Sequence, residues 1–210
     1  IFGSELKTLL ANPLVKHRVD NDGLKEILLL GPGRTSGNGV IKGVTELKPA
    51  EFLVFEQKTG LKVRKYWSLK ASEHTDDVKT TIEKTRFLIT DAVKRQLVSD
   101  VPLCCFLSGG LDSSIISKIA SDEYLSGNKG RLHTYSVNYV DNHRYFVKSI
   151  FQPNSDEKYI RMMGNVIGSQ HHEVLLDNED LEKHLGDAVL ARDLPGMADV
   201  DSSLLLFCRE

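Results

Sequence analysis

The chain has 210 residues, with 27 lysines and arginines against 29 aspartates and glutamates, and 40% of its residues are hydrophobic. This composition is typical of a globular protein and excludes collagen-like, coiled-coil and broadly disordered chains. A net charge of −2 also argues against a general nucleic-acid binder, because no domain-wide positive field holds phosphates. The length allows one or two domains.

The two ends of the chain indicate whether the sequence is complete, and its cysteines and apolar runs indicate the cellular compartment. The chain starts at Ile1 and stops at Glu210 inside an apolar-rich segment, where a natural domain rarely ends, so we expect a fragment. Three cysteines, Cys104, Cys105 and Cys208, do not make a disulfide framework. No apolar run approaches the roughly 20 residues that span a bilayer, and no leader opens the chain. These features predict a cytoplasmic protein without a membrane partner.

The first third of the sequence predicts an α+β unit with antiparallel strands. Apolar spacing and turn residues indicate two short helices before a Gly-rich loop and three short strands after it. The helices are expected at 4–10 and 22–30, the loop at 31–39, and the strands at 40–41, 51–55 and 61–67. The turn Lys58-Thr59-Gly60 predicts that the last two strands form a hairpin.

The remaining sequence predicts a parallel α/β unit. The polar segment 71–77 has no apolar period, so we expect a linker there. Beyond it, helices alternate with apolar strands, which implies right-handed crossovers and a parallel sheet. Helices are expected at 78–97, 111–124, 156–167 and 180–191, and strands at 101–107, 132–138 and 171–176. The continuous apolar run 101–107 predicts a strand that is buried on both faces.

A phosphate-binding pattern lies where the first of these strands runs directly into a helix. The segment reads Ser108-Gly109-Gly110-Leu111-Asp112-Ser113-Ser114. A helix start presents unpaired N–H groups and the positive end of its dipole. The glycines allow a tight turn and a close approach to an anion, while the serines add hydroxyl donors. The pattern predicts a phosphate cradle at the carboxyl end of a parallel strand.

Asp112 adds a carboxylate that would repel a phosphate unless a cation lies between them. Mg²⁺ commonly does this, with one or two carboxylates and phosphate oxygens as ligands. The alternative interpretation is an ordinary strand–helix turn with Asp112 as a helix cap. The complete pattern after an apolar strand favours phosphate binding. It is neither a Walker A loop, since no Gly-Lys-Ser/Thr follows, nor the dinucleotide Gly-x-Gly-x-x-Gly pattern.

Residues 108–114 resemble the pyrophosphate loop of the N-type ATP pyrophosphatases, and the chain is most similar to the glutamine-hydrolysing asparagine synthetases among them. Matches to that family continue in Val101-Pro102, in 132–137 and in His171-His172-Glu173. The segments 2–10, 31–35 and Tyr66-Trp67 resemble the end of its class II glutamine amidotransferase domain. The resemblance implies an adenine nucleotide alpha hydrolase-like α/β fold at 78–210. A partial α+β glutaminase-type domain at 1–70 would precede it.

The activity that this resemblance implies is that of an ATP-dependent ligase. ATP adenylates the β-carboxylate of aspartate and releases pyrophosphate, and ammonia from glutamine then gives asparagine and AMP. By position, the pyrophosphate-binding residues are Ser108, Gly109, Gly110, Asp112 and Ser113, with Asp112 on Mg²⁺. Val137 and Phe106 correspond to adenine-side positions, although many relatives have a smaller aliphatic residue in place of Phe106.

The implied partners are small molecules (aspartate, glutamine and ATP), with a homodimer for the full-length protein. Two alternatives stay open: a sibling ligase, such as a β-lactam-forming or peptide-cyclising synthetase, and a nucleotide-binding module without catalysis. Sequence on both sides of the chain would separate them.

Two departures from the family pattern bear on activity. Ile1 is not the N-terminal cysteine nucleophile of the glutaminase, and Cys104 and Cys105 lie in the expected buried strand. The second family motif, Ser-Gly-Glu-x-x-Asp-Glu, does not occur after Asp112. We therefore assign no catalytic residue and expect the chain alone to be inactive in both half-reactions.

Four other features have a functional and a structural interpretation. The segment 31–34 could form an anion nest, but a surface turn is favoured because no helix follows it. His171 and His172 could suggest a metal site, but a structural role is favoured, because adjacent strand residues face opposite ways and do not easily share one ion. The aromatic and basic residues of the loop 139–153 could stack on nucleic acid, but a lid or an interdomain contact is favoured. Asp199 and Asp201 face substrate in one interpretation and cap a turn in the other.

Overall fold

A computed structural model describes residues 1–150 and 154–210. These residues form two compact units, one of Ile1–Glu73 with Glu182–Leu205 and the other of His74–Leu181 with Leu206–Glu210. The loop 139–153, expected to be a lid or an interdomain contact, extends into residues 151–153, which lie outside the described residues. Within the described ranges, no helix has the length and apolar character needed to cross a membrane.

The helices and strands follow the predicted alternation along most of the chain. The helices are α1 (Leu6–Leu10), α2 (Asn21–Leu30), α3 (Val78–Gln96), α4 (Leu111–Ser126), α5 (Asn142–Tyr145), α6 (Glu157–Ile167), α7 (Asn178–Lys183), α8 (Leu185–Arg192) and α9 (Asp199–Phe207). The strands are β1 (Glu51–Glu56), β2 (Gly60–Lys65), β3 (Cys104–Phe106), β4 (His133–Tyr139) and β5 (Gln170–Leu176).

The predicted antiparallel hairpin is confirmed in the first unit. Strands β1 and β2 pair antiparallel, from Glu51 opposite Lys65 to Glu56 opposite Gly60. Gly60 has φ +74°, which lets the chain reverse into β2. The predicted strand at 40–41 is wrong, because Val40 has φ +64° and lies outside the extended region. Its neighbour Ile41 forms an isolated bridge to Val19.

The predicted parallel sheet is confirmed in the second unit. Strands β3, β4 and β5 lie in that order, and both pairs are parallel. Leu107, Ile160 and Ile167 form a buried cluster between the sheet and α6. Helix α4 turns Ser117, Ala120 and other small residues inward, and both of these are fully buried. Small side chains allow the backbones of packed elements to approach closely, which brings α4 near the sheet.

Two predictions about these elements are wrong. Strand β3 is shorter than 101–107 and is not buried on both faces, since Cys104 and Phe106 are exposed. Among the described residues β3 pairs with β4 alone and forms the edge of the sheet. The helix expected at 180–191 is divided into α7 and α8 at His184, whose φ of −101° and ψ of 7° depart from helical geometry.

Candidate functional site

The loop between β3 and α4 is anchored by the last residues of the strand. Leu107 is 1% exposed and its N–H donates to the carbonyl of Tyr135, with the nitrogen and oxygen 2.7 Å apart. Packing on Ile160 and Ile167 holds its side chain in the core. The loop of residues 108–110 therefore begins at a fixed position at the carboxyl edge of the sheet.

Gly109 occupies a position where any side chain would be strained. Its φ is +76°, in the left-handed region that disfavours side chains. A Cβ built on it would lie 2.9 Å from the backbone nitrogen of Ile160 and 2.9 Å from Cβ of Tyr159. The loop backbone therefore passes directly against the start of α6. Gly110 follows as the N-cap of α4, and no side-chain hydrogen bond caps that helix.

The hydroxyls of Ser108 and Ser113 converge across the loop. Their Oγ atoms are 3.0 Å apart, and the Ser108 N–H donates to the Oγ of Ser113 at 3.2 Å. The Ser113 hydroxyl also donates to the Gly110 carbonyl at 3.2 Å, and the Gly110 N–H donates to the Oγ of Ser108 at 3.4 Å. Ser114, by contrast, is buried, so it contributes to packing rather than to the exposed loop surface.

Asp112 is the second residue of α4 and is exposed. Its carboxylate lies in the first helical turn, where the helix dipole favours negative charge. The described residues contain no group of three or more His, Cys, Asp or Glu side chains that could hold a metal. Mg²⁺ keeps several waters and takes phosphate oxygens as ligands, so the single carboxylate of Asp112 is compatible with the predicted magnesium site.

Phe106 and Val137, the expected adenine-side residues, lie on the same face of the sheet. Phe106 pairs in register with Tyr135, and Val137 lies two residues further along β4. This face is opposite the one that buries Leu107 and Thr134. The Phe106 ring is 53% exposed and packs against Phe207, with the ring centroids 4.6 Å apart at 48°. Sequence reasoning missed Phe207.

The histidines at the start of β5 face opposite sides of the sheet, as predicted. His172 stacks on Tyr135 and hydrogen-bonds His133, with Nδ1 of His133 and Nε2 of His172 2.9 Å apart. His171 contacts the hydroxyls of Thr134 at 3.0 Å and Ser136 at 3.1 Å. Burial lowers the pKa of His171, because the positive form loses hydration.

Two donors of the glycine-rich segment after α2 pair with carboxylates of the chain itself. The Thr35 N–H donates to the carboxylate of Glu26 at 2.7 Å, and Arg34 pairs with Glu46 at 3.5 Å. The Thr35 backbone hydrogen bond lowers the pKa of Glu26. Carboxylates of the chain thus already pair with the Arg34 side chain and the neighbouring Thr35 N–H, which supports the surface-turn interpretation of 31–34.

The interpretation of Asp201 as a cap is also supported. Its carboxylate accepts from the Met197 N–H at 2.7 Å and from Arg192 at 2.6 Å. These contacts hold the turn before α9 and engage both oxygens of Asp201. Asp199 is the first residue of α9, where the dipole favours an acidic side chain.

Comparisons with known proteins show the family to which the chain belongs. The family model described as asparagine synthase matches residues 84–210, so the chain belongs to the asparagine synthase family. It is 52% identical over its whole length to "Asparagine synthetase [glutamine-hydrolyzing] 3" of Bacillus subtilis (strain 168), of which it covers 34%.

The chain is also similar to more distant relatives. It is 30% identical, over 87% of its length, to a "Putative asparagine synthetase [glutamine-hydrolyzing] 2" of Methanocaldococcus jannaschii, and it covers 33% of that relative. The chain is 29% identical, over 77% of its length, to "Amidase chyE" of Penicillium rubens, and it covers 25% of that relative. The chain therefore spans about a third of the length of the first two relatives.

Proposed function

We propose that this chain contributes the ATP-binding part of a glutamine-hydrolysing asparagine synthetase. The full-length protein adenylates the β-carboxylate of aspartate with ATP and releases pyrophosphate. Ammonia from glutamine then attacks the acyl-adenylate to give asparagine and AMP. The names of the relatives support this reaction over that of a sibling ligase, and their 52% and 30% identities favour it over a non-catalytic module.

The observation that carries the proposal is the geometry of the loop 108–113. Gly109 brings the backbone against α6, and Gly110 leaves the start of α4 without a side-chain cap. Two hydroxyls 3.0 Å apart line the same turn. Backbone N–H groups at a helix start, joined by hydroxyl donors, stabilise the negative charge that develops on a leaving pyrophosphate. The assigned residues are Ser108, Gly109, Gly110, Asp112 and Ser113.

Asp112 would hold Mg²⁺ in this proposal. The ion, when bound, neutralises the charge of the pyrophosphate oxygens and so makes the carboxylate compatible with the phosphate site. The adenine would lie toward Phe106 and Val137, on the sheet face that ends at the loop. The protein residues thus divide into a phosphate side in the loop and a base side on the sheet.

The remaining parts of the proposal concern the whole protein. Residues 1–70 would belong to the glutaminase-type domain, 71–77 to a linker and 78–210 to the synthetase domain. The glutaminase domain would supply ammonia from glutamine, and the full-length protein would form a homodimer. The linker comes from the polar composition of 71–77, and the other assignments come from the similarity of the chain to the family.

Asp112→Asn in the full-length protein tests the assignment. The amide keeps the shape of the side chain and removes the charge that would hold Mg²⁺. We expect aspartate-dependent formation of AMP, with free ammonia as nitrogen donor, to fall about 100-fold or more, as when one electrostatic contribution to a transition state is lost. Release of glutamate from glutamine should stay within about twofold of the wild-type rate.

The matched control is Asp122→Asn on the same helix. Asp122 pairs with Lys118 at 2.5 Å on the exposed surface of α4, away from the loop. This variant should keep both activities. Equal losses for the two variants, or equal losses of synthesis and of glutaminase activity in Asp112→Asn, would contradict the proposed role of Asp112.

A further inference from the structure

Phe207, the last residue of α9, lies against the base side of the proposed site. Its ring centroid is 4.6 Å from that of Phe106, with an interplanar angle of 48°. Both residues belong to the second compact unit. The contact joins the end of β3 to a helix that follows far along the chain.

The Phe106–Phe207 pair continues a row of rings across one face of the sheet. Phe106 pairs in register with Tyr135, and Tyr135 pairs with His172. The Tyr135 and His172 rings stack at 4.6 Å with an interplanar angle of 17°. The row therefore includes Phe106, the last residue of β3, which lies one residue before the buried Leu107 and two before Ser108.

The exposure of this pair has a chemical consequence. Phe106 is 53% exposed although it follows a run of apolar residues, and Phe207 is partly exposed. Exposed aromatic faces stack on nucleobases, and this interaction accepts every base because each has a π-face. A second ring packed at a tilt restricts the Phe106 side chain to fewer rotamers.

We propose that Phe207 is a nucleobase-positioning residue: its ring fixes Phe106 and completes an aromatic wall for the base of the bound nucleotide. This inference rests on the proposed function, because it assumes that the loop 108–113 holds the phosphates. The wall contributes affinity for the base by contact area and not by hydrogen bonding. Phe207 therefore affects nucleotide binding and leaves the binding of phosphate groups alone unchanged.

Calorimetry on the full-length protein tests whether Phe207 affects binding of the nucleotide but not of phosphate groups alone. ATP and inorganic triphosphate are used as separate ligands in the presence of Mg²⁺. Phe207→Ala should weaken ATP binding about 3- to 10-fold, the range expected for one aromatic pair. Its affinity for triphosphate should stay within about 1.5-fold of the wild-type value, since that ligand has no base to stack. Phe207→Tyr keeps the ring and should restore ATP affinity, whereas Phe207→Leu should restore it only in part.

Phe87→Ala is the matched control, because Phe87 is a 67% exposed phenylalanine on α3 in the same unit. It should bind both ligands as the wild type does. The inference is overturned if Phe207→Ala binds ATP as tightly as the wild type, or if it loses ATP and triphosphate binding equally. Failure of the wild-type protein to bind triphosphate would instead contradict the proposed phosphate loop and, with it, this inference.

Discussion

Gly109→Ala is the substitution whose cost the structure defines most closely. A side chain at φ +76° is strained by about 1–2 kcal/mol. The added methyl group would also lie 2.9 Å from the Ile160 backbone nitrogen and 3.1 Å from the Asp156 carbonyl. Overpacking against groups that cannot rotate away costs a further 1–3 kcal/mol or so. We expect a total of about 2–5 kcal/mol, located at the contact between the loop and α6.

Gly168→Ala is the control, because Gly168 ends the same helix with φ +68° and nothing lies within 4 Å of its added Cβ. It carries the backbone strain of about 1–2 kcal/mol without the contact. Native-state hydrogen exchange of α6 in the full-length protein compares the two. Amides of α6 should exchange about 30- to 5000-fold faster in Gly109→Ala and about 5- to 30-fold faster in Gly168→Ala. Equal acceleration in both variants would refute the close approach of loop and helix.

Two further predictions concern protonation and capping. Burial lowers the pKa of His171 in the folded protein, so its neutral form contributes stability above the unfolded-state pKa of about 6.5, and this stability is lost as pH falls. Between pH 7.5 and 5.5 the urea midpoint should therefore fall more in the wild type than in His171→Gln. Parallel falls of the two midpoints would contradict this prediction. Asp77 accepts the Thr80 N–H at 2.7 Å at the start of α3, so Asp77→Ala should destabilise α3 by about 0.5–2 kcal/mol in hydrogen exchange, while Asp77→Asn keeps most of the cap. Equal exchange in both Asp77 variants would mean that the cap contributes nothing.

The elements that local sequence controls were predictable. The position of Asp76 and Asp77 before an apolar period predicts that one of them caps α3, and the structure shows that it is Asp77. Gly60 follows from its place in a turn between two apolar runs. The parallel sheet follows from the alternation of strands and helices, because a crossover needs an intervening element. The Ser108-to-Ser114 pattern was recognisable because its residue types and spacing are all local.

The features that depend on spatial neighbours were not predictable. The apolar run 101–107 correctly indicates a strand, but its burial depends on which strands flank it, and the described part of β3 has a partner on one side. Phe207 contacts Phe106 although the two residues are far apart in the sequence, and no spacing rule connects such residues. Val40 is a further example, since its positive φ is set by the surrounding turn and opposes its β-branched side chain.

Binding of inorganic pyrophosphate with Mg²⁺ to the full-length protein tests the central claim, that the loop 108–113 holds the pyrophosphate of ATP. Ser108→Ala/Ser113→Ala removes both converging hydroxyls, and Ser126→Ala removes a hydroxyl that bonds the Glu123 carbonyl at the other end of α4. A hydrogen bond to a charged group contributes about 1.5–3 kcal/mol, so the double variant should bind pyrophosphate at least about 10-fold more weakly. Ser126→Ala should bind as the wild type does. Equal affinity of the double variant and Ser126→Ala would contradict the claim.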